Sequence, residues 1–136
     1  MEDIKFIEDM IPLLEKESKI AKLPADQKEF LALMKSLSIC KEGVAKVTKG
    51  RICSLAWHPG NCKLLVAVGD CGGNVGFWDV DKLEDKHRGV RAFKVHGQPV
   101  NCATFDKFNL TRLLTTSYDG YVRCLDFKTN VIDEVN

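Results

Sequence analysis

The sequence has 136 residues, with 20 basic against 19 acidic side chains for a formal charge of +1, and 45% of it is apolar. It holds no apolar run of the roughly 18 residues a membrane helix needs, and no charged-then-apolar leader with a small-residue cleavage site. A soluble, intracellular chain without membrane contact is expected.

Residues 1–23 place Ile4, Ile7, Ile11 and Leu14 at helical spacing, with Phe6, Met10 and Leu13 alongside. Pro12 interrupts them, because an interior proline removes a helix hydrogen bond and clashes with the preceding turn. Over 24–41 the pattern is cleaner. Asp26 and Glu29 form a D-x-x-E variant of the capping box, and Phe30, Leu33, Met34 and Leu37 follow as an apolar stripe. The stripe either packs on the rest of the fold or offers itself to another protein in helix-in-groove fashion. Residues 1–43 thus read as a helical N-terminal segment.

Val44 to Val47 alternates like a short strand after Gly43. Then comes the main feature of the sequence: Arg51 to Asp79 returns, altered, at Pro99 to Asp126. Ile52 aligns with Val100, Trp57 with Phe105, Leu65 with Leu114 across a short insertion, Gly73 with Gly120, Val75 with Val122 and Asp79 with Asp126, a period of 47 residues. A repeat of this length with a turn-rich middle and a Trp-Asp end indicates a blade-type β repeat, slightly above the usual WD-repeat range of about 40–45.

In the first blade strands are expected over 52–57, 64–69 and 74–79, separated by His58-Pro59-Gly60-Asn61 and by Asp70 to Gly73, with an outer strand over 90–95. In the second they are expected over 100–105, 112–117 and 121–127, with a tight turn at Tyr118-Asp119-Gly120 and the start of an outer strand in the final VIDEV. The fold class is therefore mainly β: a partial WD-repeat β-propeller of about two blades over 44–136, preceded by helix. A closed propeller needs about 4–8 blades, so a fragment is expected, with one apolar blade face and open strand edges uncovered. Val44 to Val47 stands where a propeller's closing strand would stand.

Six cysteines (Cys40, Cys53, Cys62, Cys71, Cys102, Cys124) include no C-x-x-C pair, and four fall in or beside strand-like runs. Free, mostly buried thiols in a reducing compartment are expected. Cys53, His58, Cys62 and Cys71 lack any standard zinc spacing, so neither a metal nor a cofactor is expected.

His96, Thr115 and Asp119 fall where WD repeats place a His before the first strand, a hydroxyl on the second strand and an Asp in the following turn. Such polar groups can be buried only if they satisfy one another, so they read as a structural network and not a catalytic triad, and no enzyme is expected. Leu125 stands in the place of the usual tryptophan. In the first blade Trp78 is present, but Thr48, Val68 and Gly72 take the places of His, hydroxyl and Asp, so apolar packing must hold that blade. Gly69, Gly72, Gly73 and Gly76 lead into a strand and not a helix N-terminus, which favours a hairpin turn over a phosphate loop. Lys49, Arg51 and Lys94 lie in loops at one end of the blades, where cations can meet phosphates. Between Lys82 and Lys94 five basic residues face two acidic ones.

The blocks GVAKVTKGRICSLAWHP, LLVAVGDCGGNVGFWD, HGQPVNC and LTTSYDGYVRCLDF resemble the WD repeat-containing protein 76 family, relatives of the yeast changed-mutation-rate protein and of damaged-DNA-binding protein 2. The resemblance covers residues 27–136. It implies a nuclear seven-bladed propeller that binds DNA, preferring damaged duplexes, and acts in the DNA-damage response. It also implies service as a substrate receptor of a cullin-RING ubiquitin ligase through its damage-binding adaptor. Arg51 then matches a basic position beside the DNA-facing end of the first blade, and the 26–37 helix matches the segment that approaches the adaptor.

Overall fold

The computed structural model describes residues 27–41, 43–82 and 87–135; the helix expected over 1–23 and the Asp26 half of the capping box lie outside them. Helix α1 spans Gln27–Ser36. Its last turn ends where Leu37 N–H donates to the Met34 carbonyl at 3.4 Å and Ser36 Oγ donates to the Leu33 carbonyl at 2.7 Å. Glu29 in the first turn and Lys35 in the last both favour the helix dipole.

Eight strands follow: β1 (Ile52–Trp57), β2 (Leu65–Asp70), β3 (Asn74–Asp79), β4 (Val90–Lys94), β5 (Val100–Phe105), β6 (Arg112–Ser117), β7 (Val122–Asp126) and β8 (Val131–Glu134). They form two four-stranded antiparallel sheets, ordered β1-β2-β3-β4 and β5-β6-β7-β8. These are two blades of a propeller, and the expected strand limits hold to within about a residue or two. Leu65 pairs with Asp79 and Arg112 pairs with Asp126. The structural counterpart of Leu65 is therefore Arg112, correcting the sequence alignment that put Leu65 on Leu114.

Strand alternation sets the packing, since successive side chains point to opposite faces. One face of the first sheet supplies Leu65, Ala67, Val75 and Phe77, which meet Val100, Ala103, Phe105, Leu113, Leu125 and Phe127 of the second sheet in one buried core. Phe77 stands edge-on to Phe127 with centroids 5.1 Å apart. Polar ties reinforce the same seam: Ser54 Oγ donates to the Val100 carbonyl at 2.9 Å, and His58 Nε2 lies 3.0 Å from the Leu110 carbonyl while its ring meets Phe105 edge-on.

The strand expected at Val44 to Val47 does not form; this segment pairs with no strand among the described residues. It crosses the other face of the first sheet as an extended strap. Val47 is buried there with Val66 and Val68, flanked by Trp78, Val80 and Val90. Gly76 makes room for it, because a Cβ at Gly76 would come within 2.8 Å of both the Val47 and Thr48 side chains. The strap covers only part of that face. Leu55 and Trp57 remain 53% and 58% exposed, as expected for a blade face without a neighbour.

The cysteines depart from expectation. No disulfide forms, but five of the thiols are exposed and only Cys124 is partly buried. Cys62 and Cys71 lie in turns, and Cys53 and Cys102 lie at the irregularities where the register shifts between Ile52 and Ser54 and between Val100 and Cys102. Cys102 and Cys124 also face away from the first sheet, on the side of β5 and β7 that the shared core does not use.

Candidate nucleic-acid interface

The turns β2–β3 and β6–β7 and the loops entering β1 and β5 gather at one end of the two sheets. His96, in the loop before β5, is 2% exposed. Its Nδ1 lies 3.0 Å from Asp119 Oδ2, and its Nε2 lies 2.9 Å from Thr115 Oγ1. Asp119 also accepts from the backbone N–H groups of Gly97 at 3.0 Å and Tyr121 at 3.1 Å. Burial pushes the Asp119 carboxyl up, but these N–H donors, His96 and Arg123 together hold it well below the usual carboxylate range. Thr115 is fully buried, so no substrate can reach its hydroxyl and the trio cannot act as a nucleophile relay.

Arg123 was not legible as part of this network. Its Nη1 donates to Asp119 Oδ2 at 3.1 Å and to the Val95 carbonyl at 3.0 Å, and its Nη2 donates to Glu134 at 2.9 Å. A guanidinium from β7 thus anchors the loop before β5, in a blade whose tryptophan position holds Leu125. Trp78 lies apart from the network, beside the strap, and its buried Nε1 finds no hydrogen-bond partner among the described residues.

The first blade is not held by apolar packing alone. Asp70, fully buried at the end of β2, accepts from the backbone N–H groups of Gly72 at 2.8 Å, Asn74 at 2.9 Å and Gly50 at 3.3 Å, and from the Asn74 side chain at 2.8 Å. Its carboxyl is raised by desolvation, yet the Asn74, Gly72 and Gly50 donors win and lower it. Asp70 therefore ties the β2–β3 turn to the loop before β1, as Asp119 ties the β6–β7 turn to the loop before β5. The carboxylate has moved from the turn to the strand end, where an alignment of turns does not find it.

This framework fixes the cations. Arg51 offers its carbonyl to Cys71 N–H at 2.9 Å, which sets the Lys49–Arg51 loop on one side of the β2–β3 turn. Lys94, paired across from Asn74 at the end of β4, contacts the Gly72 carbonyl from the other side. Lys49, Arg51 and Lys94 are all exposed. Asp70 and Asp119 at this end are turned onto internal donors, whereas Lys49, Arg51 and Lys94 carry their charges on exposed side chains.

Elsewhere, Phe30, Leu33, Met34 and Leu37 of the helical stripe are 45–67% exposed, uncovered by other described residues. Among the described residues no three His, Cys, Asp or Glu side chains converge as metal ligands, and His58 is committed to the seam between the sheets. No helix among them is long and apolar enough to cross a membrane.

The family model for the WD domain, G-beta repeat, matches residues 88–126. That unit runs from β4 of the first sheet through β7 of the second, so the His96–Thr115–Asp119 network lies inside one sequence repeat and joins two blades. WD repeat-containing protein 76 of Xenopus laevis is 40% identical over 110 residues, 81% of this chain and 19% of that protein. Its counterpart in Rhinolophus ferrumequinum is 43% identical over 108 residues, 79% of this chain and 17% of that protein. DNA damage-binding protein CMR1 of Mycosarcoma maydis is 34% identical over 116 residues, 69% of this chain and 18% of that protein. The chain thus spans under one fifth of the length of these curated relatives. With two WD-type blades, the matched repeat and this similarity over most of its length, the chain is a WD-repeat chain similar to WD repeat-containing protein 76 and the CMR1 proteins.

Proposed function

We propose that this chain is the DNA-contacting part of a non-enzymatic WD-repeat protein that acts in the nucleus in the response to DNA damage. The observation that carries the reading is the exposed cluster of Lys49, Arg51 and Lys94 around the β2–β3 turn, with the neighbouring carboxylates internally engaged. Cations on a rigid rim bind phosphates without reading sequence, and preference for damaged duplex then comes from its shape and deformability. The name of the CMR1 relatives, DNA damage-binding protein, agrees with this reading. The test is fluorescence anisotropy of a labelled duplex across salt. Affinity should fall steeply with salt, and Arg51→Glu should weaken it on the order of tenfold and flatten the log–log slope by about one. Salt-independent binding, or an unchanged Arg51→Glu variant, sinks the proposal.

A second reading has its own observation in the exposed stripe of α1. There the chain serves as a protein-interaction scaffold, its helix docking on a partner such as the damage-binding adaptor of a cullin-RING ligase. Capture of that adaptor that survives Arg51→Glu and is lost with Leu33→Asp favours this role.

A further inference from the structure

Tyr118 sits at the tip of the β6–β7 turn with 74% of its surface exposed. The turn does not need its side chain. Tyr118 N–H donates to the Pro99 carbonyl at 3.2 Å, Asp119 N–H to Ser117 Oγ at 3.2 Å, Gly120 N–H to the Ser117 carbonyl at 3.2 Å, and the Asp119 carboxylate is held from four directions. The Tyr118 hydroxyl makes no hydrogen bond among the described residues. A turn held by its own backbone bonds thus presents a largely exposed aromatic ring.

Its place on the rim is defined by the bonding pattern. Tyr118 N–H meets the carbonyl of Pro99 as Cys71 N–H meets the carbonyl of Arg51, so Tyr118 occupies in the second blade the position of Cys71 in the first. The loop between β4 and β5 joins the two turns, since Gly73 binds its Val95–His96 end and Tyr118 binds Pro99. Tyr118 is therefore on the same end as Arg51 and Lys94. The neighbouring Tyr121 is already occupied, with the Arg123 guanidinium 4.9 Å over its ring. Phe108, the fully exposed aromatic of the β5–β6 loop, lies at the opposite end beside the Leu110–His58 tie.

We infer that Tyr118 is the base-stacking residue of the proposed DNA interface, taking the open face of an unstacked nucleobase in locally opened or single-stranded DNA. The inference rests on the DNA-binding reading above. Bases inside an intact duplex have both faces covered by their neighbours, so a stacking side chain favours DNA whose bases are already freed, while the cations hold the backbone of either form. A ring on a pre-fixed turn loses little conformational freedom on binding.

The test compares a labelled duplex carrying a short unpaired bubble with a fully paired duplex of the same length at one salt concentration. Tyr118→Ala should weaken bubble binding on the order of tenfold and leave the paired duplex nearly unchanged. Tyr118→Trp should retain the preference, and Phe108→Ala at the far end should alter neither. If Tyr118→Ala weakens neither DNA or both equally, or if Phe108→Ala has the same effect, the stacking role is wrong. Paired-duplex binding that is still sensitive to salt and Arg51→Glu would then leave the interface itself standing, whereas absence of salt-dependent binding to either DNA removes both.

Discussion

The Gly73 carbonyl accepts hydrogen bonds from both Val95 N–H and His96 N–H, and a Cβ at Gly73 would collide with the His96 carbonyl. With φ at +83°, Gly73 holds a left-handed turn and a backbone-to-backbone contact with the loop that leads from β4 to β5 at once. Gly120 is its counterpart in the second blade, with φ at +86°, but a Cβ there would meet nothing within 4 Å. Gly120→Ala should therefore cost only the left-handed penalty, about 1–2 kcal/mol. Gly73→Ala adds the collision and should cost about 3 kcal/mol or more. Urea unfolding of the two variants gives the comparison, and equal midpoints would refute the close approach of Gly73 to the β4–β5 loop.

Acid stability follows from the two turn carboxylates. Asp119 and Asp70 both titrate lower in the folded chain than in the unfolded one, where a carboxyl loses its charge near about 3.9. The unfolded chain therefore takes up protons first as pH falls. The stabilisation is complete above the unfolded value and is lost as pH drops through the folded values. The contribution of these two carboxylates to the unfolding free energy should be flat near pH 6 and fall below about pH 4. Asp119→Asn should be less stable at pH 6 but lose less on acidification, and parallel curves for the two proteins would contradict the assignment.

What could be read in advance divides along physical lines. Strands and turns were legible because alternation, Pro59, Gly60 and the Asp119-Gly120 turn act locally. The His96–Thr115–Asp119 contact was legible because the repeat fixes the three offsets. Asp70 and Arg123 were not, because each takes over a role from a different sequence position, and only the pairings Ile52↔Asp70 and Thr115↔Arg123 bring them to it. The cysteines misled for a related reason. A small apolar residue in a strand is buried only if its face is covered, and Cys102 and Cys124 look away from the shared core. Val44 to Val47 alternates correctly for a strand, but alternation does not supply the partner edge a ladder requires.

His58 makes the seam between the sheets sensitive to pH in the neutral range. Gly60 N–H donates to Nδ1 at 3.0 Å, so Nδ1 must be an acceptor and Nε2–H donates to the Leu110 carbonyl. Burial lowers the His58 pKa against the opposing influence of the Leu110 carbonyl, so the folded state prefers the neutral ring. The contribution is fully present above the unfolded value of about 6.5 and is lost as pH falls through the folded value. His58→Ala should cost roughly 1–2 kcal/mol at pH 7.5 and less at pH 5. A cost that does not shrink on acidification would show that the neutral imidazole is not what stabilises the seam.

Thiol reactivity separates the cysteines by their place in the fold. Cys40, Cys53, Cys62, Cys71 and Cys102 are exposed, whereas Cys124 is partly buried on β7, where desolvation raises its thiol pKa. The thiolate is the reactive form, so a raised pKa and restricted access both slow Cys124. Titration of the native chain with an aromatic disulfide reagent near pH 7.5 should show five fast thiols and one slow one, and denaturant should bring all six to a single rate. Cys124→Ser should delete the slow phase alone. If the slow phase instead disappears with Cys102→Ser, the far face of the second sheet is covered over β5 and open over β7, the reverse of an exposed Cys102 and a partly buried Cys124.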